Sequence, residues 1–345
     1  AREWGLVDAI APPSTFAEVV RERAQALAAA SPRAPGNAGI ALGNVERTID
    51  ERGFHYAHVD VAFERERRLA TLTVRAPRTE QPADLAAIHA LGAAWWPLAF
   101  GRELDDALLL LRTNEPELGL LLLRAEGAAE AVLAVDRVLA AEAGDWLVRE
   151  TTGLLRRTLA RLDVTSRSMF AIVDRKSAFA GTFFELALAA DRIYMLLSDD
   201  DDAPEIVLNE RNFGAYPTVA ARSRLETRFG SGAPQLATLR AAGGTAYRAE
   251  DARTAGLVTI ASDDLDWDDE LRLAIEERTA LSPDALTGLE ANLRFPGPET
   301  LHSKIFARLS AWQNWVFVRP NATGERGALK VYGSGSKPHF DRERV

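Results

Sequence analysis

The chain has 345 residues, 47% hydrophobic and 26% charged, which leaves room for one large globular domain or two modest ones. It has no cysteine, so disulfides and thiolate chemistry are excluded, and its five histidines do not cluster, so no metal site is expected. A net charge of −9 argues against nucleic acid or an anionic membrane as a partner, no apolar run reaches transmembrane length, and a cytoplasmic location is the expectation.

In chain order, residues 2–11 read as a helix end and a short strand. Ser14-Thr15 can cap a helix carrying Phe16, Val19, Val20, Arg23 and Leu27 as a stripe at helical spacing. Ser31–Gly43 is rich in Pro, Gly and Ala and reads as a linker. Phe54–Phe63 and Leu69–Val74 alternate as strands across the charged turn Glu64–Arg68. Asp84–Phe100 suits a helix with Trp95-Trp96-Pro97 near its end, and Glu103–Arg112 suits another. Gly119–Arg124 is a continuous apolar run, the pattern of a strand buried on both faces. Leu133–Ala143 and Trp146–Leu162 suggest long helices.

The stretch Phe170–Leu196 is the centre of the chain. A strand, Phe170–Val173, enters a turn where Ser177, Ala178, Ala180 and Gly181 keep bulk low, and a helix begins near Thr182. Such a corner lets another group approach the backbone, and a helix N-terminus offers free N–H donors. On the residues alone a packed βαβ corner without chemistry is favoured over an anion-stabilising site. Asp199–Asp202 reads as a solvated acidic loop, lacking EF-hand spacing. A short strand (Ala203–Leu208), a helix (Thr218–Phe229), a helix-strand pair (Glu250–Ala261) and helices at Asp268–Leu281, Pro283–Leu293 and Glu299–Phe317 follow. The polar tail Gly324–Val345 is expected to be extended.

An internal repeat runs at an offset of 251 residues. Ala1-Arg2, Gly5-Leu6-Val7, Phe16 and Ser31-Pro32 fall in register with Ala252-Arg253, Gly256-Leu257-Val258, Trp267 and Ser282-Pro283. The organisation expected from it is the tail of a first unit (1–32), a linker (33–53), a second, divergent unit (54–283) and a helical C-terminal region with an extended tail (284–345).

The order of strand, small-residue turn, Glu185, Ala189-Ala190-Asp191, Pro204-Glu205-Ile206 and Gly256-Leu257-Val258 resembles the enoyl-CoA hydratase (crotonase) superfamily. The resemblance implies an α/β fold, a crotonase-like ββα spiral with a helical C-terminal region, preceded here by the tail of a first such unit. It implies an acyl-CoA substrate, with CoA part of the substrate and no separate cofactor. Backbone N–H groups at Gly181 and Thr182 would hold the thioester oxyanion, and Glu185 and Glu205, 20 residues apart, would share a water as base and acid. An ion pair or a helix-dipole role for Glu185 and a surface role for Glu205 are the plain alternatives. Three features depart from the pattern: a single glycine in the turn, Phe183 and Phe184 beside it, and Ala131–Asp136 without the glycine of the second oxyanion loop, so that a helix is the simpler reading there. Arg175-Lys176 could meet a CoA phosphate; Ser166 and Ser168 have no nearby histidine; and His55, His58, His89, His302 and His339 read as surface or packing residues.

Longer stretches are more specific: GIALGNVERTIDERGFHYAHVDVAFERERRLATLTVRAP, the Trp-Trp-Pro-Leu-Ala at 95–99, RTNEPELG, LNERNFGAYPTVAARSRLETRFG and the tail GSGSKPHFDRERV. They resemble a ring-opening lyase branch of the superfamily. That implies hydrolytic opening of a benzoyl-CoA epoxide, C–C cleavage and loss of formate, without metal or redox cofactor. By the repeat, the catalytic core of such an enzyme lies upstream of Ala1, which makes this chain a C-terminal portion. The missing N-terminal domain would be its partner, and a homo-oligomer would form through a trimerisation-type helical tail. Two other classes stay open: a non-catalytic crotonase-fold scaffold, or a standalone acyl-CoA hydratase using Glu185 and Glu205.

Overall fold

Strands apolar at every position need both faces covered. A computed structural model describes residues 1–32, 39–295 and 299–342, in two compact units, Ala1–Ala41 and Leu42–Val345. Among its described residues the first unit holds one helix, α1 (Phe16–Ala29), after a series of turns. In the second, β1 (Thr48–Asp50), β2 (Gly53–His55), β3 (Val59–Glu64) and β4 (Leu69–Arg75) pair antiparallel in sequence order. From β4 onward the sheet is parallel, through β5 (Leu120–Glu126), β6 (Ser168–Val173) and β7 (Arg192–Leu197). A separate pair joins β8 (Ile206–Val207) to β9 (Ala246–Tyr247), and β10 (Ile260–Asp263) closes the main sheet beside β7.

The crossovers are helical, as parallel pairing demands. They are α2 (Leu85–Leu91) and α3 (Trp96–Asn114) between β4 and β5, then α4 (Ala129–Ala141) and α5 (Trp146–Asp163) between β5 and β6. The short α6 (Gly181–Ala189) joins β6 to β7. Beyond them lie α7 (Arg224–Phe229), α8 (Pro234–Ala241), α9 (Ala249–Thr254), α10 (Trp267–Thr279) and α11 (Pro283–Arg294). On one face Leu69, Leu120, Leu122, Phe170, Ile172 and Tyr194 pack against Ala274 and Ile275 of α10. All six residues of β6 are buried.

Several expectations need correcting. Trp95-Trp96-Pro97 does not end a helix. The chain turns at Gly92, and Trp96-Pro97 opens α3, because proline fits the first helical turn, where its missing N–H has no partner to lose. The helix expected over Thr218–Phe229 starts only at Arg224, where Ser223 and Glu226 form a capping box. Thr48–Asp50, expected as linker, adds a strand to the sheet, and residues 33–38 of that linker lie outside the described residues. The tail is not wholly extended: Ala328–Val331 forms a helical turn. Residues 2–11 contain no strand.

The two copies of the repeat share local geometry. Gly5 and Gly256 adopt φ of 66° and 75°, in the left-handed region that favours glycine. Gly5 N donates to Arg2 O at 3.0 Å and Leu6 N to Ala1 O at 3.0 Å; the equivalent bonds, Gly256 N to Arg253 O and Leu257 N to Ala252 O, measure 3.0 and 2.8 Å. The helices that follow start at equivalent residues, Phe16 and Trp267. Their surroundings differ: Leu257 is fully buried, whereas Leu6 is 70% exposed. Leu257→Ala is therefore expected to destabilise the chain by about 2–5 kcal/mol, and Leu6→Ala by less than about 0.5 kcal/mol. Urea denaturation of the two variants measures the difference.

Candidate functional site

The site is the corner where β6 hands over to α6. The turn is pinned by Ser177, whose Oγ accepts from Asp174 N at 3.0 Å, and by Ala178 N donating to Ala125 O of β5 at 2.8 Å. Gly181 opens α6 with φ of 47°, and a Cβ there would stand 2.0 Å from Asp136 Oδ2 and 2.5 Å from Asn209 Nδ2. Only glycine fits this position.

What crowds Gly181 is a carboxylate from α4. Asp136 is 2% exposed, and its Oδ2 accepts from Thr182 N at 2.8 Å and from Asn209 Nδ2 at 2.7 Å. Its Oδ1 accepts from the Thr182 hydroxyl and lies 3.5 Å from Arg211 Nε. Arg211 also donates to the Tyr216 hydroxyl through Nε and Nη2, at 3.1 and 2.7 Å, and that hydroxyl lies 2.9 Å from Thr182 Oγ1. Burial pushes the Tyr216 phenol up to about 12 and raises Asp136 above the usual carboxylate range, with Arg211 and the Thr182 and Asn209 donors opposing the rise in Asp136. The N–H that could hold an oxyanion is thus occupied by the protein's own anion.

Glu185 lies on the next part of α6, 1% exposed. Its Oε2 accepts from Arg224 Nη1 at 2.9 Å and its Oε1 from Asn212 Nδ2 at 2.8 Å. Arg224 is itself buried and also reaches Tyr216 O, Leu159 O and Asp163 Oδ1. Burial raises Glu185, and Arg224 opposes the rise. The Glu205 side chain is 46% exposed and pairs with Arg248 at 3.5 Å. The two glutamates share no hydrogen-bond or ion-pair partner, and one is buried while the other is half-exposed. Thr182 N, one of the two expected oxyanion donors, is engaged by Asp136, and the carbonyl of Gly181, the other expected residue, accepts from Asn212 Nδ2 at 2.9 Å. Phe183 and Phe184 are fully buried, and Phe183 packs at 5.7 Å from Trp96 and 5.2 Å from Phe100.

Other sequence candidates take structural places. Arg175 is held by Asp200 at 2.8 Å, Asp264 at 3.1 Å and Asp202, which explains part of the acidic run. Ser168 is buried in a cluster with Glu290 and Arg278 that fastens α11 to β6. No group of three or more potential metal ligands occurs among the described residues. Reasoning from sequence missed Asn209, Arg211, Asn212, Tyr216 and Arg224. Their signal was the density of amide and guanidinium side chains in LNERNFGAYPTVAARSR, more polar chemistry than a surface loop needs.

No family model matches the chain. It is 52% identical over 346 residues to a benzoyl-CoA-dihydrodiol lyase of Aromatoleum evansii, a match covering all of this chain and 62% of that protein's length. Its fold is that of enoyl-CoA hydratases. The enzyme of Bacillus anthracis aligns with a TM-score of 0.57 at 15% identity, over 82% of this chain and 99% of that one. The enzyme of Mycobacterium smegmatis aligns with a TM-score of 0.58 at 14% identity, over 82% and 98%. At such identities the likeness concerns the fold.

Removing the Asp136 carboxylate strands the Thr182 N–H, Asn209 and the Arg211 guanidinium in the interior. Asp136→Ala is expected to destabilise the chain by about 3–5 kcal/mol, the usual scale for breaking a buried charge pair. Glu185→Gln, which leaves Arg224 half-compensated by Asp163, is expected to cost less. Thermal or urea denaturation of both variants checks the order.

Proposed function

We propose that this chain is the non-catalytic crotonase-fold part of a CoA-thioester lyase of the benzoyl-CoA-dihydrodiol lyase type. The whole enzyme would open the ring of 2,3-epoxybenzoyl-CoA with loss of formate in aerobic benzoate degradation, the acyl chemistry being done by a core in the remainder of the polypeptide. The kind of chemistry rests on the 52% identity to a protein of that name, of which this chain spans 62%. The division of labour rests on one observation, the Asp136 carboxylate seated on the α6 N–H. A thioester enolate placed there would meet a second negative charge at about 4 Å, a repulsion of about 4 kcal/mol at an effective dielectric of 20. A base must also be free to take a proton, and Glu185 is fixed by Arg224 and Asn212 in a buried ion pair. On this reading Ala1–Pro32 is the last supersecondary piece of the first unit, supported by the turn it shares with residues 252–257.

The competing reading, a hydratase using Glu185 and Glu205, has a direct test. The purified chain is expected to leave crotonyl-CoA unhydrated, as followed by loss of the enoyl thioester absorbance. In the whole enzyme, Glu205→Ala is expected to keep kcat within about twofold of wild type, because an exposed carboxylate with one distant partner contributes little beyond the surface. Hydration by the isolated chain that disappears in Glu205→Ala would restore the hydratase reading.

A further inference from the structure

The start of β6 and the second half of α11 meet in a sealed polar cluster that the activity proposed above does not use. Glu290 of α11 is 1% exposed; its Oε1 accepts from the Ser168 hydroxyl of β6 and lies 3.4 Å from Arg278 Nη1 of α10. Asp191, at the entry to β7, is buried beside it, and its Oδ2 accepts from Met169 N of β6 at 2.6 Å. Arg294, one turn beyond Glu290, stands between the two carboxyl groups. Its Nη2 lies 2.8 Å from Glu290 Oε2 and 3.3 Å from Asp191 Oδ2.

This bridge is one hydrogen short. A guanidinium Nη carries two hydrogens. Arg294 Nη2 donates to Arg167 O at 2.6 Å and to the Asp191 carboxylate at 3.3 and 3.5 Å. Its Nη1 serves Thr165 O and Leu162 O, and its Nε–H meets no acceptor. Glu290 Oε2 is thus buried with no hydrogen bond, although a guanidinium nitrogen stands 2.8 Å away. An orphaned carboxylate oxygen in the interior is strongly unfavourable, and a proton on it removes the problem. The Asp191 carboxyl lies within reach of that proton. Burial and then the Asp191 charge push Glu290 up to about 8, with Arg294 opposing. The other charges around the cluster are engaged elsewhere. Asp163 pairs with Arg224, and Arg192 lies near Glu277 and the Tyr194 hydroxyl. The Arg167 side chain donates to the Leu111, Glu115 and Leu118 carbonyls.

We propose that Glu290 sits in the fold as the neutral acid, donating its proton to Asp191, and that this shared proton latches α11 to β6 and to the entry of β7. Its loss to solvent leaves two carboxylates abutting in the interior, and α11 loosens. The helix does not move alone. A Cβ on Gly288 would stand 3.5 Å from Val316 and 3.8 Å from Trp312, both in the helix Ser310–Phe317, and Arg308 Nη2 donates to Ala291 O and Asn292 O at 2.9 and 2.6 Å. The latch therefore governs how firmly the C-terminal helices dock on the sheet. The carboxyl holds its proton more tightly in the closed fold than in the opened one. Docking is accordingly firmest in acid, weakens as pH rises from the ordinary glutamate range, and levels off above about 8. None of the Asp136 or Glu185 contacts enters, so the latch is independent of the activity proposed above.

Amide hydrogen exchange of α11 in the full chain, corrected for the intrinsic rate at each pH, tests it. Wild-type protection is expected to fall by about tenfold or more between about pH 6 and about pH 9, a tenfold change being the weight of one pKa unit. Glu290→Gln places an amide donor where the proton stood, so its protection is expected to change by less than about twofold over the same range. Should that variant fail to fold, the Glu290 carboxyl carbon resonance of the wild-type chain decides, and titration near pH 8 supports the latch. Equal wild-type protection at both pH values, a folded Glu290→Gln variant that loses protection as wild type does, or a Glu290 carboxyl titrating in the ordinary glutamate range would overturn it.

Discussion

The Asp136 carboxylate on the Thr182 N–H, in the first turn of α6, is the contact around which this unit is built. A helix N-terminus carries unpaired donors and partial positive charge, so it attracts an anion from whatever source is available. Here the anion is internal, delivered by α4, which packs directly against α6. Its position requires glycine at 181, because a Cβ would overlap the carboxylate. It also requires compensation, since a lone ionised carboxylate in the interior is prohibitively unfavourable. Arg211, Asn209 and the Thr182 hydroxyl supply it.

That requirement propagates outward. Arg211 and Asn212 lie in one short helical turn, Glu210–Phe213, whose N-cap is Asn209. One residue type therefore serves two ends: Asn209 caps the turn and donates to Asp136, while Asn212 bridges Gly181 O and Glu185. Arg224, at the first position of α7, then neutralises Glu185 and ties α5 through Leu159 O and Asp163. The polar network is continuous from α4 to α7 and is nearly sealed from solvent. A catalytic site needs the opposite, donors and bases left unpaired until substrate arrives. The aromatic packing of Phe183 on Trp96 and Phe100 removes the remaining space.

Much of this was readable in the residues, and the failures have physical reasons. The buried strands followed from GLLLLR and FAIV, whose apolar runs admit only covered faces. The helix through Ala131–Asp136 followed from the lack of a glycine there, and it places the very aspartate that fills the site. The matching turns at Gly5 and Gly256 were legible because a left-handed turn constrains residue type strongly. The partners that Glu185 and Glu205 take were not readable, because linear spacing says nothing of which side of a strand a carboxylate leaves from. The network of Asn209, Arg211, Asn212 and Arg224 was missed for a related reason: its carboxylate partners lie 27 to 75 residues away in sequence. Trp95-Trp96-Pro97 was assigned to the wrong helix end, although proline in the first turn is the commoner arrangement.

The account turns on whether the α6 N–H is closed to substrate. The amide resonance of Thr182, in a nitrogen-15 spectrum of the folded chain, reports that contact directly. Addition of benzoyl-CoA to saturation is expected to leave its shift unchanged, because the Thr182 N–H already donates to Asp136. A shift of the Thr182 amide that saturates with benzoyl-CoA would mean that the thioester displaces the carboxylate, and the assignment of this unit as non-catalytic would fail.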